Sequence, residues 1–117
     1  MKKVMPTVNE HFAGKSSEIK MIYERLVAVV ERFGPVEQDP KKTSIHLNRR
    51  TAFAGVAVRK AHIMLTIKSD RRIDSPRISK SDQTSARRIH HVVRLSNAKD
   101  LDEELREWLR AAYDLSE

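Results

Sequence analysis

Apolar residues recur along this chain with two different periods, and the change of period divides it into elements. From Ser16 or Ser17 to about Phe33, the residues Ile19, Ile22, Tyr23, Leu26, Val30 and Phe33 follow the i, i+3, i+4, i+7 spacing of an amphipathic helix. A serine caps its start and Gly34-Pro35 stops it. At about 1.5 Å per residue this helix runs about 25 Å, enough to cover a small sheet. Ahead of it, Thr7 to Phe12 predicts one helical turn, capped by Thr7 with Glu10 in the capping-box position, that lays Phe12 on the core before Gly14 ends it.

Beyond the helix the period drops to two. Val36 to Gln38 predicts a short edge strand, and after the Asp39-Pro40 turn Thr43, Ile45 and Leu47 alternate with Ser44, His46 and Asn48. Asn48 to Thr51 connects to a strand from Ala52 to Arg59, in which Gly55 marks a bulge or a close backbone approach, and Lys60 lies near the next turn. Ile63, Leu65 and Ile67 then alternate with His62, Met64, Thr66 and Lys68. Short connections between these strands predict an antiparallel meander. Ser69 to Ala86 has no period and reads as a long loop. Alternation resumes from Arg87 to Leu95, with Ile89, His91, Val93 and Leu95 inward and Arg88, His90, Val92 and Arg94 outward. A last helix, about Lys99 to Tyr113, puts Leu101, Leu105, Trp108, Leu109 and Ala112 on one face. Asp100, Asp102, Glu103 and Glu104 crowd its first turn, where the helix dipole favours negative charge. The pattern predicts an α+β fold of two layers: an antiparallel sheet of about four to five strands with the two long helices packed on one face. At 117 residues it fits a single domain, 1–117, with residues 1–6 a disordered tail.

Charge sharpens this picture. Lys41 to Arg94 holds fourteen Lys and Arg against three acids, an excess of eleven in a chain whose net charge is +7. Because the cations and histidines of the strands mostly share one parity, they predict a basic sheet face opposite the buried one. By parity that face collects Lys42, His46, Arg50, Arg59, His62, Met64, Lys68, Arg88, His90 and Arg94. The residues expected to bind are Lys42, Arg50, Arg59, Lys60, His62, Arg88 and His90, the arginines by gripping a carboxylate or phosphate with two bonds and the histidines by adding donors. The expected function is therefore a small binding domain that holds a small anionic ligand or acidic segment on the basic face. Non-sequence-specific nucleic-acid binding by the same face is the alternative. Against it stands the scarcity of aromatics, 5% of the chain, which leaves Phe53 as the one strand aromatic on the cationic parity.

The remaining classes find less support. A protein interaction module, pairing through an edge strand, is the third reading, together with an enzyme of unrecognised type. The chain has no phosphate-cradling glycine loop, GxSxG elbow or HExxH motif, so no catalytic residue and no cofactor is expected. The five histidines match no local ligand spacing, so no metal is expected either. His91, inward among Ile89, Val93 and Leu95, reads as a core histidine bonded to backbone. Zero cysteines fit a reducing compartment, and without an apolar run of signal-peptide or membrane-spanning length the expected location is the cytoplasm, with no membrane partner.

Four stretches, His11-Phe-Ala-Gly-Lys15, Phe53-Ala-Gly-Val56, His90-His-Val-Val-Arg-Leu95 and Leu101 to Ala111-Ala-Tyr113, resemble in order and spacing one bacterial and archaeal family of domains of unknown function. Members of that family occur alone or fused to the C-terminal end of predicted transport proteins. The resemblance runs from Val8 to Tyr113 and implies a compact α+β fold, similar in size to the YdhG-like and MmcQ-like small domains. It implies no activity.

Overall fold

Side-chain caps start the first two helices where the sequence places them. In a computed structural model, which describes residues 7–116, Thr7 Oγ1 accepts the Glu10 N–H at 3.2 Å to open α1 (Val8–His11). Ser16 Oγ accepts the Ile19 N–H at 3.4 Å to open α2 (Ser17–Glu31). The chain leaves α2 through Gly34 at φ 150°, where a Cβ would run into the Tyr113 hydroxyl; that hydroxyl donates to the Pro35 carbonyl at 3.0 Å. The disordered tail expected at residues 1–6 lies outside the described residues.

Six strands follow: β1 (Glu37–Pro40), β2 (Ile45–Asn48), β3 (Ala52–Val58), β4 (Ile63–Ser69), β5 (Ile78–Ser85) and β6 (Arg88–Leu95). They form one antiparallel sheet in the order β1-β2-β3-β4-β6-β5. The expected four to five strands fall short because Ser69 to Ala86 is not a loop throughout: its second half is β5, joined to β6 by the turn at Ala86-Arg87. This edge strand, Ile-Ser-Lys-Ser-Asp-Gln-Thr-Ser, buries neither face and so carries no apolar alternation. Its backbone ladder to β6, interrupted by two register shifts, makes it a strand.

β4 and β6 alternate strictly between buried and partly exposed positions along most of their length. Ile63, Leu65, Ile67, Val93 and Leu95 from these strands, with Ile45, Leu47, Ala54 and Val56, join Ile19, Ile22, Leu26 and Val30 of α2 and Leu105, Leu109, Ala112 and Tyr113 of α3 (Glu103–Leu115) in one hydrophobic cluster. α3 lies against β3 and β4, and α2 touches α3. The last helix begins later than its periodicity predicts. Ala98–Asp100 is a separate 3-10 turn in which Asn97 and Asp100 cap each other's backbone, and α3 starts afresh with Asp102 accepting the Leu105 N–H at 3.0 Å. Two of the acids that read as first-turn residues are thus caps, which satisfy specific N–H groups besides opposing the dipole.

The bulge also moves. It sits where Asn48 pairs with Ala52 and Leu47 with Ala54, so the extra residue is Phe53 and not Gly55. The bulge turns Phe53 off its parity and into the core, fully buried and edge-on to Tyr113 with ring centroids 5.3 Å apart. The strand aromatic expected on the cationic face is therefore absent from it. Beyond the bulge, the Asn48 to Thr51 turn holds the end of α3. Arg49 Nη1 donates to the Tyr113 carbonyl at 3.1 Å and the Arg50 N–H to the Ser116 carbonyl at 3.3 Å. Cationic side chains at a helix C-terminus meet both its unsatisfied carbonyls and its dipole.

Candidate anion site on the open sheet face

The outward parity of the sheet does not carry one uniform patch of charge. At one end, where β1 runs to β2 and β3 to β4, lie Lys42, Arg59, Lys60 and His62. The His62 imidazole is held below its ordinary pKa, first by desolvation and then by the charges of Arg94 and Arg59, so these three groups form a cluster. Arg50 lies at the opposite end, in the turn that holds α3, and lines a hollow with Pro35, Arg49 and Tyr113. Arg88 is at that same end of the sheet, at the start of β6. The seven expected binding residues therefore do not converge: Lys42, Arg59, Lys60 and His62 belong to one end, Arg50 and Arg88 to the other, and His90 to the middle.

Between the ends is a shallow groove of about 230 Å³, lined among others by Ser44, His46, Gly55, Thr66, Lys68 and His90. Its floor is β3. Ala52, Gly55 and Ala57 leave a trough on the central strand, with neighbours on β2 and β4 rising beside it. Gly55 pairs with His46 on one side and Thr66 on the other, and a Cβ there would meet His46 Cδ2 and Thr66 Cβ at 4.0 Å each. The glycine is thus not needed for a close backbone approach; it deepens the trough. His46 on β2 and His90 on β6 stand three strand spacings apart, roughly 14 Å.

Lys68 is the central cation. It pairs across the ladder with His90, and its Nζ donates to Thr51 Oγ1 at 3.1 Å and Ser116 Oγ at 2.8 Å. Both acceptors are neutral, so its charge meets no carboxylate among the described residues. Desolvation and the nearby Arg88 hold the Lys68 amine below its usual pKa. Lys68 and Arg88 therefore crowd positive charge at one end of the groove, with His90 beside Lys68 on the next strand. Periodicity placed Lys68 and His46 on this face without singling them out, because parity says nothing about which floor is hollow.

Acids offset the charge at the rims. Glu37 and Asp39 on β1 lie opposite Asn48 and His46, with Glu37 Oε1 accepting from Asn48 Nδ2 at 3.2 Å. Asp39 pairs with Lys41 at 2.9 Å, and that hydrogen bond holds its carboxyl below the usual range. On the far edge, Asp82 lies opposite His90 and contacts Lys80 at 3.4 Å. The cationic face is thus basic over β4 and β6 and mixed at both edges.

His91 lies on the other face, fully buried. Its Nδ1 is 2.8 Å from Ser81 Oγ, while Nε2 is 3.2 Å from the Ile73 N–H and 3.1 Å from the Arg71 carbonyl, so the ring ties the 70–77 segment to β6. Arg77, which reads as a loop cation, crosses to α3 instead: it contacts Asp102 at 2.7 Å, Glu104 at 3.3 Å and the Asp100 carbonyl at 2.6 Å, with Trp108 beneath at 5.7 Å. Burial opposes its charge, but the two carboxylates outweigh burial and raise its pKa.

The architecture defines an α+β protein with an antiparallel sheet, and no helix among the described residues is long and apolar enough to cross a membrane. The family model described as "Domain of unknown function (DUF5655)" matches residues 8–116, and the chain belongs to that family. No curated protein and no solved structure matched.

Proposed function

We propose that this chain is a binding domain which holds a small anion in the sheet groove, at the end formed by Lys68, Arg88 and His90. The observation that carries this reading is Lys68: a partly desolvated amine, beside another cation and with no carboxylate partner among the described residues, at the edge of a hollow with a glycine and alanine floor. A bound carboxylate or phosphate oxygen relieves that repulsion and restores the amine pKa. His46, Ser44 and Thr66 supply donors to the rest of the ligand. A volume of about 230 Å³ suits a small molecule better than a polymer.

Nucleic-acid binding by this face is weaker as a reading because Phe53, its one candidate stacking platform, is in the core. Edge pairing with another protein is weaker too. β1 is short and ends in Pro40, while β5 is polar, charged and twice shifted in register, devices that discourage strand addition.

Titration with inorganic phosphate and with acetate at low salt, followed by the histidine ring resonances, tests the proposal. Movement of His46 and His90, with affinity falling about tenfold in Lys68→Met, is the expected result. Unchanged ring signals at about 10 mM of either anion refute it. Salt-steep binding of a single-stranded oligonucleotide without a phosphate response favours the polymer instead.

A further inference from the structure

A second cationic hollow lies on the helical layer, and nothing in the groove reading accounts for it. α2 shows the solvent a second stripe beside its core stripe: Arg25, Ala28, Val29 and Arg32, again spaced i, i+3, i+4, i+7. With Phe33 this stripe forms one wall of a cleft of about 650 Å³. The break between the 3-10 turn and α3 forms the other, through Ala98, Leu101 and Arg106.

The three arginines are exposed, and their side chains have no hydrogen-bond or ion-pair partner among the described residues. The cause is legible. Arg25 and Arg32 have no acid at i±3 or i±4 on α2. Arg106 has Asp102 and Glu103 at those spacings, but Asp102 caps Leu105 and is drawn 2.7 Å from Arg77, and Glu103 makes no ion pair with Arg106. By contrast Arg110, one turn further on α3, reaches Asp114 at 3.5 Å and sits 5.4 Å from the Phe33 ring centroid. The cleft thus combines an apolar floor with three guanidinium groups that no acid among the described residues pairs, and its volume lies in the range of small-molecule sites.

We infer that this cleft binds an amphipathic organic acid, one carboxylate, sulfonate or phosphate on an apolar body of acyl or aryl type. The apolar body covers Val29, Phe33 and Leu101, and the acid group takes the fork of Arg32 or Arg106. A bare inorganic anion leaves the apolar floor wet, and an apolar molecule without charge leaves the arginines unanswered, so both halves of the ligand are required. This site and the sheet groove stand or fall separately.

Calorimetric titration of the intact chain with decanoate below its micelle concentration tests the inference, with decyltrimethylammonium as the matched cation and acetate as the acid without a tail. Decanoate is expected to bind, acetate and the cation not. An Arg32→Gln/Arg106→Gln double variant, at exposed positions outside the core, is expected to lose about tenfold or more in affinity, while Lys68→Met binds decanoate as before. No heat with decanoate at about 1 mM, equal binding of the cationic amphiphile, or an unchanged double variant overturns the inference. Binding of an acidic helical peptide without binding of decanoate overturns it as well, in favour of a protein partner.

Discussion

The groove on the sheet and the cleft on the helices are both rimmed by cations, yet the charge is free for different reasons. On the sheet, Lys68 lies among neutral hydroxyls and beside Arg88, because two-residue alternation on neighbouring strands stacks like charges on one face. On the helices, Arg106 has no ion-pair partner among the described residues: of the two acids at helical spacing, Asp102 is drawn to the segment carrying Arg77 and Glu103 makes no ion pair with Arg106. The floors differ in the same way. Small residues on one strand hollow the groove, whereas the cleft opens where the chain breaks helix at Leu101-Asp102 and restarts. A charged surface is therefore best read by asking what meets each cation, and in both regions the answer comes from residues far apart in the chain: Thr51 and Ser116 for Lys68, the segment carrying Arg77 for Arg106.

Substitutions separate the two regions, beginning with the most severe. Phe53→Ala removes the fully buried ring that the bulge turns under the groove, and costs about 3–5 kcal/mol in urea denaturation. Because the bulge that seats the ring also shapes β3 beneath the groove, phosphate binding weakens with it while the cleft, formed by other elements, keeps its ligand in the folded fraction. A smaller loss, about 1 kcal/mol at pH 7, is expected for Asp102→Ala, which takes away the α3 cap and the partner of Arg77.

That loss depends on pH. The Arg77 hydrogen bond, then the Leu105 N–H, holds the Asp102 carboxyl below the usual carboxylate range. Its pKa is lowered on folding, so the stabilisation is full above the unfolded value of about 3.9 and disappears as pH falls through the folded one. The gap between wild type and Asp102→Ala therefore narrows between about pH 4 and pH 2, and a gap that stays constant to pH 2 contradicts the assignment.

The smallest effect on the fold is expected at Gly55. An alanine Cβ meets only ordinary contacts at 4.0 Å, so Gly55→Ala stabilises the strand by about 0.5 kcal/mol. The same methyl group fills part of the groove floor and weakens phosphate binding. A variant more stable and equally good at binding phosphate places the anion elsewhere.

Much of the fold is written in periodicity. The helix α2, the strands β2, β3, β4 and β6 and the inward His91 follow from spacing, because burial on one face forces a period on the residues that bear it. β5 leaves no such trace, since an edge strand exposed on both sides is selected by its ladder alone. Parity likewise identified a basic face but not a site: Arg50 and Arg59 share its charge and lie at opposite ends of the sheet.

What the sequence by itself determined is the buried stripes of α2, β2, β4 and β6, the elements those stripes form and the sign of the exposed sheet. Tertiary structure alone decided that Phe53 turns inward, that Arg77 takes Asp102, and that hollows lie over Gly55 and beside Leu101. The physical reason is range. Hydrophobic periodicity is a property of neighbours in sequence, whereas a bulge, a borrowed carboxylate and a hollow each depend on residues far apart in the chain meeting in space.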